Sequence, residues 1–267
     1  MGNCRPFLNW AGGKRWLAAK KLSCFPKSYA TYYEPFLGSG AIFFSLSPTK
    51  AVLSDTNINL ILTYKAIKSD WRTVLSYLQE HQKSHCKDYY YEVRRQVPED
   101  DYSRAARFIY LNRTCWNGLY RVNKKGEFNV PIGTKSTVTI SENDLELISA
   151  RLKYCKILCS DFEVALERAG LDDLIYVDPP YTICHSDNGF IKYNEKLFDW
   201  EDQIRLRDSL VKARARGAKV IISNAFHPSI RKLYDQLFKL VKVPRFSRIS
   251  GNNSGRKLGK EYLILGV

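Results

Sequence analysis

Residues 32–55 read YYEPFLGSGAIFFSLSPTKAVLSD, and this stretch decides the fold class. Its first five residues favour a short strand, which stops at the glycine-rich turn Gly38-Ser39-Gly40. A helix over about residues 41–46 and a second strand over residues 51–55 follow. Strand, glycine turn, helix and strand make the start of a βαβ unit, which predicts a parallel sheet.

The same alternation returns in the second half of the chain. Residues 174–177 and 219–223 are apolar runs typical of buried parallel strands. We expect helices over about residues 200–216, ending before Gly217, and near residues 228–237. Two final strands are expected near residues 240–243 and 262–267, on either side of a basic loop.

Residues 61–145 differ from the rest of the chain in periodicity and composition. Their early part has apolar residues at helical spacing, and their later part is polar and aromatic. The dipeptides Asn117-Gly118 and Lys125-Gly126 favour turns, and the residues around them suit a hairpin near residues 112–133. The sequence therefore predicts an α/β sheet formed by residues 1–60 and 146–267, interrupted by an insertion over residues 61–145.

Charge and composition narrow the class of partner. The chain has 267 residues, with 42 Lys and Arg against 27 Asp and Glu, and a formal net charge of +15. Such a positive field makes a polyanion the first partner to consider, with solubility alone as the alternative. The chain opens on no secretory signal pattern and holds no apolar run of transmembrane length, so we expect a cytoplasmic protein that does not enter membranes. Seven cysteines without metal-ligand spacing favour reduced thiols and no bound metal.

The glycine turn indicates a nucleoside ligand. Glycines at a strand-to-helix turn let a ligand approach the backbone closely, and Asp55 at the end of the next strand can accept hydrogen bonds from ribose hydroxyls. The three-glycine fingerprint of dinucleotide sites is absent. A nucleoside without a pyrophosphate, such as S-adenosylmethionine, therefore fits better than a nicotinamide or flavin.

The tetrapeptide Asp178-Pro179-Pro180-Tyr181 follows directly after a predicted buried strand. Two consecutive prolines stiffen the loop and remove two backbone donors. An acid at the carboxyl end of a parallel strand lies where open α/β sheets bind ligands. The alternative, an incidental turn, is less favoured because acid, double proline and aromatic residue occur together.

These motifs, with Trp10-Ala11-Gly12-Gly13-Lys14 and the hairpin residues, resemble the DNA adenine methyltransferase (Dam) family nearly from end to end. The family order of cofactor motif, recognition domain and catalytic motif is also the order found here. The resemblance implies a Rossmann-like, seven-stranded methyltransferase sheet in which residues 61–145 form a mostly helical target-recognition domain. It also implies transfer of a methyl group from S-adenosylmethionine to the N6 amino group of a flipped-out adenine in duplex DNA.

The resemblance assigns roles to particular positions. Asp178 and the Pro179 carbonyl are expected to accept the amino hydrogens of adenine, and Tyr181 to stack on its ring. The expected cofactor residues are Trp10, Ala11, Gly12, Lys14, Glu34, Pro35, Phe36, Gly38, Ser39, Gly40, Asp55, Asp161, Phe162 and Asp178. The expected DNA contacts are Asn9, Arg113, Trp116, Asn117, Leu119, Arg121, Asn123, Pro131, Lys135, Arg245, Arg248, Arg256 and Lys257. Among these, Trp116 suits insertion beside the flipped base, Arg121 suits guanine readout, and the basic C-terminal loop suits phosphate.

Two positions depart from the family pattern for its best-known target, GATC. Asn9 replaces a lysine that reads the first guanine, and Thr134-Lys135 stand where many members have an aromatic residue. A GATC-like site is favoured only slightly. Further alternatives are a cytosine-N4 methyltransferase, against which Asp178 argues, an RNA adenine methyltransferase, and a nucleic-acid-binding protein without activity. We expect a monomer, encoded by a bacterium or phage, and a cognate restriction endonuclease is a further expected partner.

Overall fold

The computed structural model describes residues 4–20, 22–123, 125–182, 198–246 and 258–267. Within these ranges, seven strands form one sheet in the order β3-β2-β1-β4-β5-β7-β6. The strands are β1 (Tyr32–Glu34), β2 (Ala51–Asp55), β3 (Cys155–Cys159), β4 (Leu174–Val177), β5 (Lys219–Ala225), β6 (Lys239–Phe246) and β7 (Leu258–Gly266). The predicted α/β class and seven-stranded sheet are confirmed.

Helices connect most of the strands. They are α1 (Arg15–Lys20), α2 (Ala41–Leu46), α3 (Ile58–Ser84), α4 (Lys87–Arg95), α5 (Asp101–Thr114), α6 (Glu142–Leu152), α7 (Phe162–Leu166), α8 (Trp200–Ala215) and α9 (Pro228–Tyr234). Short 3₁₀ turns cover Leu22–Cys24 and Trp116–Gly118. Within the described ranges, no helix is both long enough and apolar enough to cross a membrane.

The central strands are parallel and buried, as their apolar sequences predict. β1 pairs with β2 and β4, and β4 pairs with β5, all in parallel. Every residue of β4 is buried, as is typical of a central strand in a parallel sheet. β7 lies between β5 and β6 and runs antiparallel to both. The residues that follow β1 and β4 therefore emerge at the same carboxyl edge, which is where open α/β sheets bind ligands.

Local sequence signals fix the helix ends. The Asn57 side chain accepts the backbone N–H of Leu60 at the start of α3, and Asp199 and Asp202 form a capping box at the start of α8. After α8, Gly217 adopts φ +97°, the left-handed conformation that ends helices. The prediction of a helix over residues 200–216 is confirmed to within one residue. Helix α3 is interrupted at Asp70, whose φ and ψ are not helical.

The sequence prediction was wrong at several element ends. The strand predicted over residues 32–36 ends at Glu34, and the helix predicted near residues 228–237 ends at Tyr234. Residues 112–114 belong to α5, so the hairpin begins only after Thr114. The last two strands extend further towards each other than predicted, because β6 and β7 stay paired up to Phe246 and Leu258. Arg245 therefore lies in β6 and not in a loop.

The chain divides into two compact units, each described separately below. The first comprises Met1–Ala18, Leu37–Ser47 and Asp55–Cys159, and the second comprises Ala19–Phe36, Pro48–Ser54 and Ser160–Val267. In the first unit, α3 packs against α5 and α6. In the second, the core lies around β4, β5 and α8, and it includes Ile175, Leu206 and Ile222. The insertion over residues 61–145 stays a prediction.

Candidate active site

The glycine turn of the first unit is held by Asp55. Gly38 and Gly40 adopt φ values of +47° and +64°, a region that favours glycine. One Asp55 carboxylate oxygen accepts the N–H of Gly38 at 3.1 Å, and the other accepts the N–H of Asn57 at 3.0 Å. Burial raises the pKa of Asp55, and its bonds to backbone N–H groups oppose that rise. Asp55 thus shapes the turn in addition to its predicted role towards a ribose.

Trp10 lies against the same turn. A Cβ atom added at Gly38 would come within 2.7 Å of Trp10 Cδ1, so only glycine fits beneath the indole. On the hairpin side, Trp10 stacks on Tyr120 with ring centroids 5.5 Å apart, and Tyr120 in turn contacts Phe128. Trp10 therefore touches both the glycine turn and the hairpin. Sequence reasoning missed this link, since the residues are far apart along the chain.

Lys14 is almost completely buried, with 4% of its surface exposed. Its ammonium donates to the Gly12 carbonyl at 3.0 Å. Gly12 has φ +76° and open space where a Cβ would stand, and Ala11 is exposed. The Trp-Ala-Gly-Gly-Lys motif thus forms a turn closed by its own lysine.

In the second unit, Glu34 and Phe36 stand at the carboxyl end of β1. Glu34 is buried and accepts a hydrogen bond from the Tyr32 hydroxyl at 2.8 Å. Burial, and then the neighbouring Glu34 carboxylate, hold the pKa of Tyr32 well above its usual range. The half-buried Phe36 ring stacks on Phe162 at 5.7 Å and meets Phe198 edge-on at 5.5 Å. Phe162 is only 3% exposed, so Phe36 is the member of this aromatic cluster with surface to offer a ligand.

The neighbouring Asp161 already has two partners. Its carboxylate caps α7 by accepting the N–H of Glu163 at 2.9 Å, and it pairs with Arg205 at 3.1 Å. Arg205 also bonds to Glu163, which lowers the pKa of Glu163. The predicted contact of Asp161 with a cofactor stays a prediction.

The Asp178–Tyr181 loop continues directly from β4. Asp178 and Tyr181 are half-buried, and Pro179 is buried. The negative charge of Asp178 is the largest influence, after burial, that raises the pKa of Tyr176 far above its usual range. The Thr182 hydroxyl donates to the Phe198 carbonyl, and the Gln203 amide donates to the Pro180 carbonyl at 3.4 Å. Sequence reasoning had not identified either of these anchoring residues.

The hairpin of the first unit is built from turns and single bridges. Cys115 bridges Ile132, and Val122 bridges Phe128, both antiparallel. Asn123 serves the hairpin itself, since its side-chain oxygen accepts the N–H groups of Lys125 and Glu127. Asn117 lies in the short 3₁₀ turn Trp116–Gly118, where it adopts φ +55° and is exposed.

Trp116 and Arg121 project from this hairpin. Trp116 is 54% exposed, a large fraction for an indole, and it leaves the ring available to a partner. Arg121 is exposed, and its Nε donates to the Asn129 side chain at 3.0 Å. This bond aims the guanidinium without using its two terminal nitrogens, so a bidentate contact remains open to it.

Three of the predicted DNA-binding residues line one concavity of the first unit. Its volume is about 320 Å³, and its lining comprises Asn9, Arg113, Thr134, Lys135, Ser136 and Thr137. The Asn112 side chain holds Asn9 in place, since it accepts the N–H of Asn9 and donates to its carbonyl, each at 2.8 Å. Burial, and then the nearby Arg15, lower the pKa of Arg113. The two positions that depart from the GATC-reading pattern thus lie in the same polar concavity.

The C-terminal basic residues are described only in part. Arg248, Arg256 and Lys257 lie outside the described residues, as does the side chain of Arg245. In the described part, the ammonium groups of Lys242 and Lys260 lie 5.2 Å and 5.8 Å from the centre of the Phe226 ring. Both lysines are exposed, so the strand pair β6–β7 carries cations that a polyanion can reach.

Comparison with known proteins shows the family of this chain. A model described as "D12 class N6 adenine-specific DNA methyltransferase" matches residues 10–249. The chain belongs to this family. The D12-class enzyme is 37% identical to the type II methyltransferase M1.LlaDCHI of Lactococcus lactis subsp. cremoris, over 98% of this chain and 95% of the relative. It is also 32% identical to the DNA adenine methylase of Escherichia coli K12, with 98% and 95% covered. A phage P1 protein named DNA N-6-adenine-methyltransferase is 34% identical over 98% of this chain and 35% of its own length.

These relatives confirm the resemblance inferred from the motifs. The D12-class chain is an enzyme of the adenine-specific DNA methyltransferase family, and DNA is the substrate of that family.

Proposed function

We propose that the D12-class chain transfers a methyl group from S-adenosylmethionine to the N6 atom of an adenine flipped out of duplex DNA. Asp178 carries this proposal. Its carboxylate stands at the carboxyl end of the fully buried parallel strand β4, in a loop stiffened by two prolines. An acid in that position, inside a chain that belongs to the N6 adenine-specific family, fits amino methylation of adenine.

The residues of each unit fit S-adenosylmethionine, which supplies an electrophilic methyl group when bound. In the first unit, the left-handed turn at Gly38 is held by Asp55, whose carboxylate offers lone pairs that suit ribose hydroxyls. In the second unit, the half-buried ring of Phe36 suits the face of a purine. Trp10, Lys14 and Glu34 complete the proposed set.

The chemistry assigned to the loop is the activation of a weak nucleophile. The amino lone pair of adenine is delocalised into the ring. We assign to the Asp178 carboxylate and the Pro179 carbonyl the acceptance of one amino hydrogen each, which favours a tetrahedral nitrogen in the transition state. Tyr181 is assigned to stack on the adenine. Orientation of the two reactants accounts for much of the remaining rate enhancement, on the order of 7–11 kcal/mol for well-positioned pairs.

DNA binding is assigned to the first unit and to the β6–β7 strands. Trp116 is proposed to fill the space left by the flipped base, and Arg121 to read a guanine edge. The concavity around Asn9 and Lys135 is proposed to set the target, in a GATC-like site whose first base is read differently. We further propose that the enzyme acts as a monomer beside a cognate endonuclease.

The test is single-turnover transfer of labelled methyl groups to duplex DNA, with saturating enzyme and methyl donor. Asp178→Ala is expected to lower the transfer rate at least about 10²–10³-fold, the cost of removing a preorganised electrostatic partner. Asp208→Ala, which removes an exposed acid on α8 of the same unit, serves as the control and is expected to keep the wild-type rate. Undiminished transfer by Asp178→Ala would refute the mechanism, and the absence of transfer by the wild type would favour a binding protein without activity.

A further inference from the structure

The carbonyl of Pro180 is held by a chain of buried amides that begins on the neighbouring strand. Asn224, at the end of β5, donates from Nδ2 to Oε1 of Gln203 at 3.2 Å. Gln203, in the first turn of α8, donates from Nε2 to the Pro180 carbonyl at 3.4 Å. Both side chains have no exposed surface, and all of these residues belong to the second unit.

The direction of this chain is fixed at both ends. The Asn224 side-chain oxygen accepts the N–H of Ala225 at 2.8 Å, so its amide nitrogen must face Gln203. At the other end, the Pro180 carbonyl can only accept, so Gln203 must present its nitrogen there. Each amide therefore has one possible orientation, and neither can flip without setting two acceptors against each other.

The tether constrains the atoms proposed for catalysis. The proline ring already fixes φ of Pro180, so holding its carbonyl leaves little freedom to the peptide that precedes it. That preceding peptide carries the Pro179 carbonyl. After Tyr181, the Thr182 hydroxyl donates to the Phe198 carbonyl, so the loop is anchored on both sides of Tyr181.

Gln203 occupies a position where an apolar residue would be expected. It precedes the buried Leu206 and Leu210 at spacings of three and seven residues, so it lies on the face of α8 that packs into the core. A buried amide costs free energy unless it is fully hydrogen-bonded. Its two bonds run to the catalytic loop and to Asn224, and this points to a role in the site rather than in core packing alone.

We propose that Gln203 and Asn224 are positioning residues, which hold the Pro179 carbonyl and Tyr181 in place for methyl transfer. This inference rests on the proposed roles of Asp178 and Pro179. Neither amide touches a substrate in this account. Their effect is on the geometry of the loop, so it belongs to the rate of the transfer step and not to the affinity for either substrate.

The experiment compares the near-isosteric variant Gln203→Glu with the wild type in single-turnover transfer. An ionised carboxylate still accepts from Asn224 but cannot donate to Pro180, so the rate at saturation is expected to fall about 10–100-fold, since misplacement of about 1 Å costs 10²-fold. Dissociation constants for S-adenosylmethionine and DNA are expected to stay within about twofold. Gln96→Glu, at an exposed glutamine after α4, is the matched control and should leave the rate unchanged.

Two further readouts separate positioning from a general loss of structure. A neutral carboxyl group can donate to Pro180, so Gln203→Glu should recover part of its rate as the pH falls, relative to wild type. Asn224→Asp should lower the rate similarly, and combining it with the uncharged variant Gln203→Met should lower the rate no further than either change alone. Gln203→Met, which keeps the side-chain volume without a charge, provides the same rate comparison if the acidic variant does not fold.

A wild-type transfer rate in folded Gln203→Met would overturn the proposal, and so would a wild-type rate in folded Gln203→Glu that persists at alkaline pH, where its carboxyl group is ionised. So would rate losses that are matched by equal losses of substrate affinity. If Asp178→Ala abolishes transfer while the Gln203 variants do not slow it, the positioning role alone fails. If Asp178→Ala transfers normally, the proposed function fails, whatever the Gln203 variants show.

Discussion

Gly38→Ala tests the contact between the glycine turn and Trp10. Gly38 has φ +47°, and left-handed backbone costs an L-residue about 1–2 kcal/mol. The new Cβ would also stand 2.7 Å from Trp10 Cδ1 and 2.9 Å from Nε1, both in a ring that cannot bend away. Overpacking of this kind costs about 1–3 kcal/mol, so the variant should lose about 2–5 kcal/mol of unfolding free energy in all.

Gly12→Ala provides the matched control for the backbone term. Gly12 also has a positive φ, +76°, but a Cβ there would meet nothing within 4 Å. It should lose only about 1–2 kcal/mol, the cost of left-handed backbone. Urea denaturation of both variants measures the difference, which we expect to be the overpacking cost of about 1–3 kcal/mol.

A double-mutant cycle identifies the clashing partner. If the indole causes the excess cost, Gly38→Ala should destabilise a Trp10→Ala background by no more than Gly12→Ala destabilises the wild type. Equal stabilities of the two single variants would refute the close approach of Trp10 to the turn, and strict additivity in the cycle would assign the cost to another neighbour.

Three further outcomes are expected from the DNA-binding surfaces. Lys242→Ala and Lys260→Ala should each reduce the slope of log DNA affinity against log salt concentration by about 0.9. Lys153→Ala is the control, because its ammonium also lies over an aromatic ring, and it should leave the slope unchanged. Unchanged slopes for Lys242→Ala and Lys260→Ala would show that β6–β7 does not contact phosphate. Arg121→Ala should cost about 1–3 kcal/mol at one base position of the target, and a uniform loss over all sequences would assign Arg121 to phosphate. Trp116→Ala should keep the unfolding free energy within about 0.5 kcal/mol of wild type, because the side chain is exposed. It should weaken the gain in fluorescence of 2-aminopurine placed at the target base, which reports base flipping. An unchanged gain would contradict the role of Trp116 in flipping.

The parallel core was predictable from the sequence because its strands are buried on both faces. Such strands are short and apolar, and residues 174–177 and 220–222 show this pattern without interruption. The glycine turn between β1 and α2 was equally clear, because Gly38 and Gly40 satisfy a backbone requirement that few other residues meet. Both signals are local, so they can be recognised without knowledge of the tertiary structure.

Contacts between distant segments were not predictable. Nothing near Trp10 in the sequence shows that its ring lies between Gly38 and Tyr120. The hairpin start was misplaced because turn dipeptides mark the turn but not where the preceding helix ends. The spacing of Gln203 from Leu206 and Leu210 places it on the buried face of its helix. The sequence alone does not distinguish a buried glutamine at such a position from one that faces solvent.

The most direct test of the central claim is the identity of the modified base. DNA from a host without its own methylation, grown with and without expression of this chain, can be digested and its nucleosides separated by mass. Single-molecule sequencing of the same DNA then gives the target sequence. We expect N6-methyladenine at one recurring site with the wild type, and none with Asp178→Ala. N4-methylcytosine, or N6-methyladenine at wild-type levels with Asp178→Ala, would contradict it.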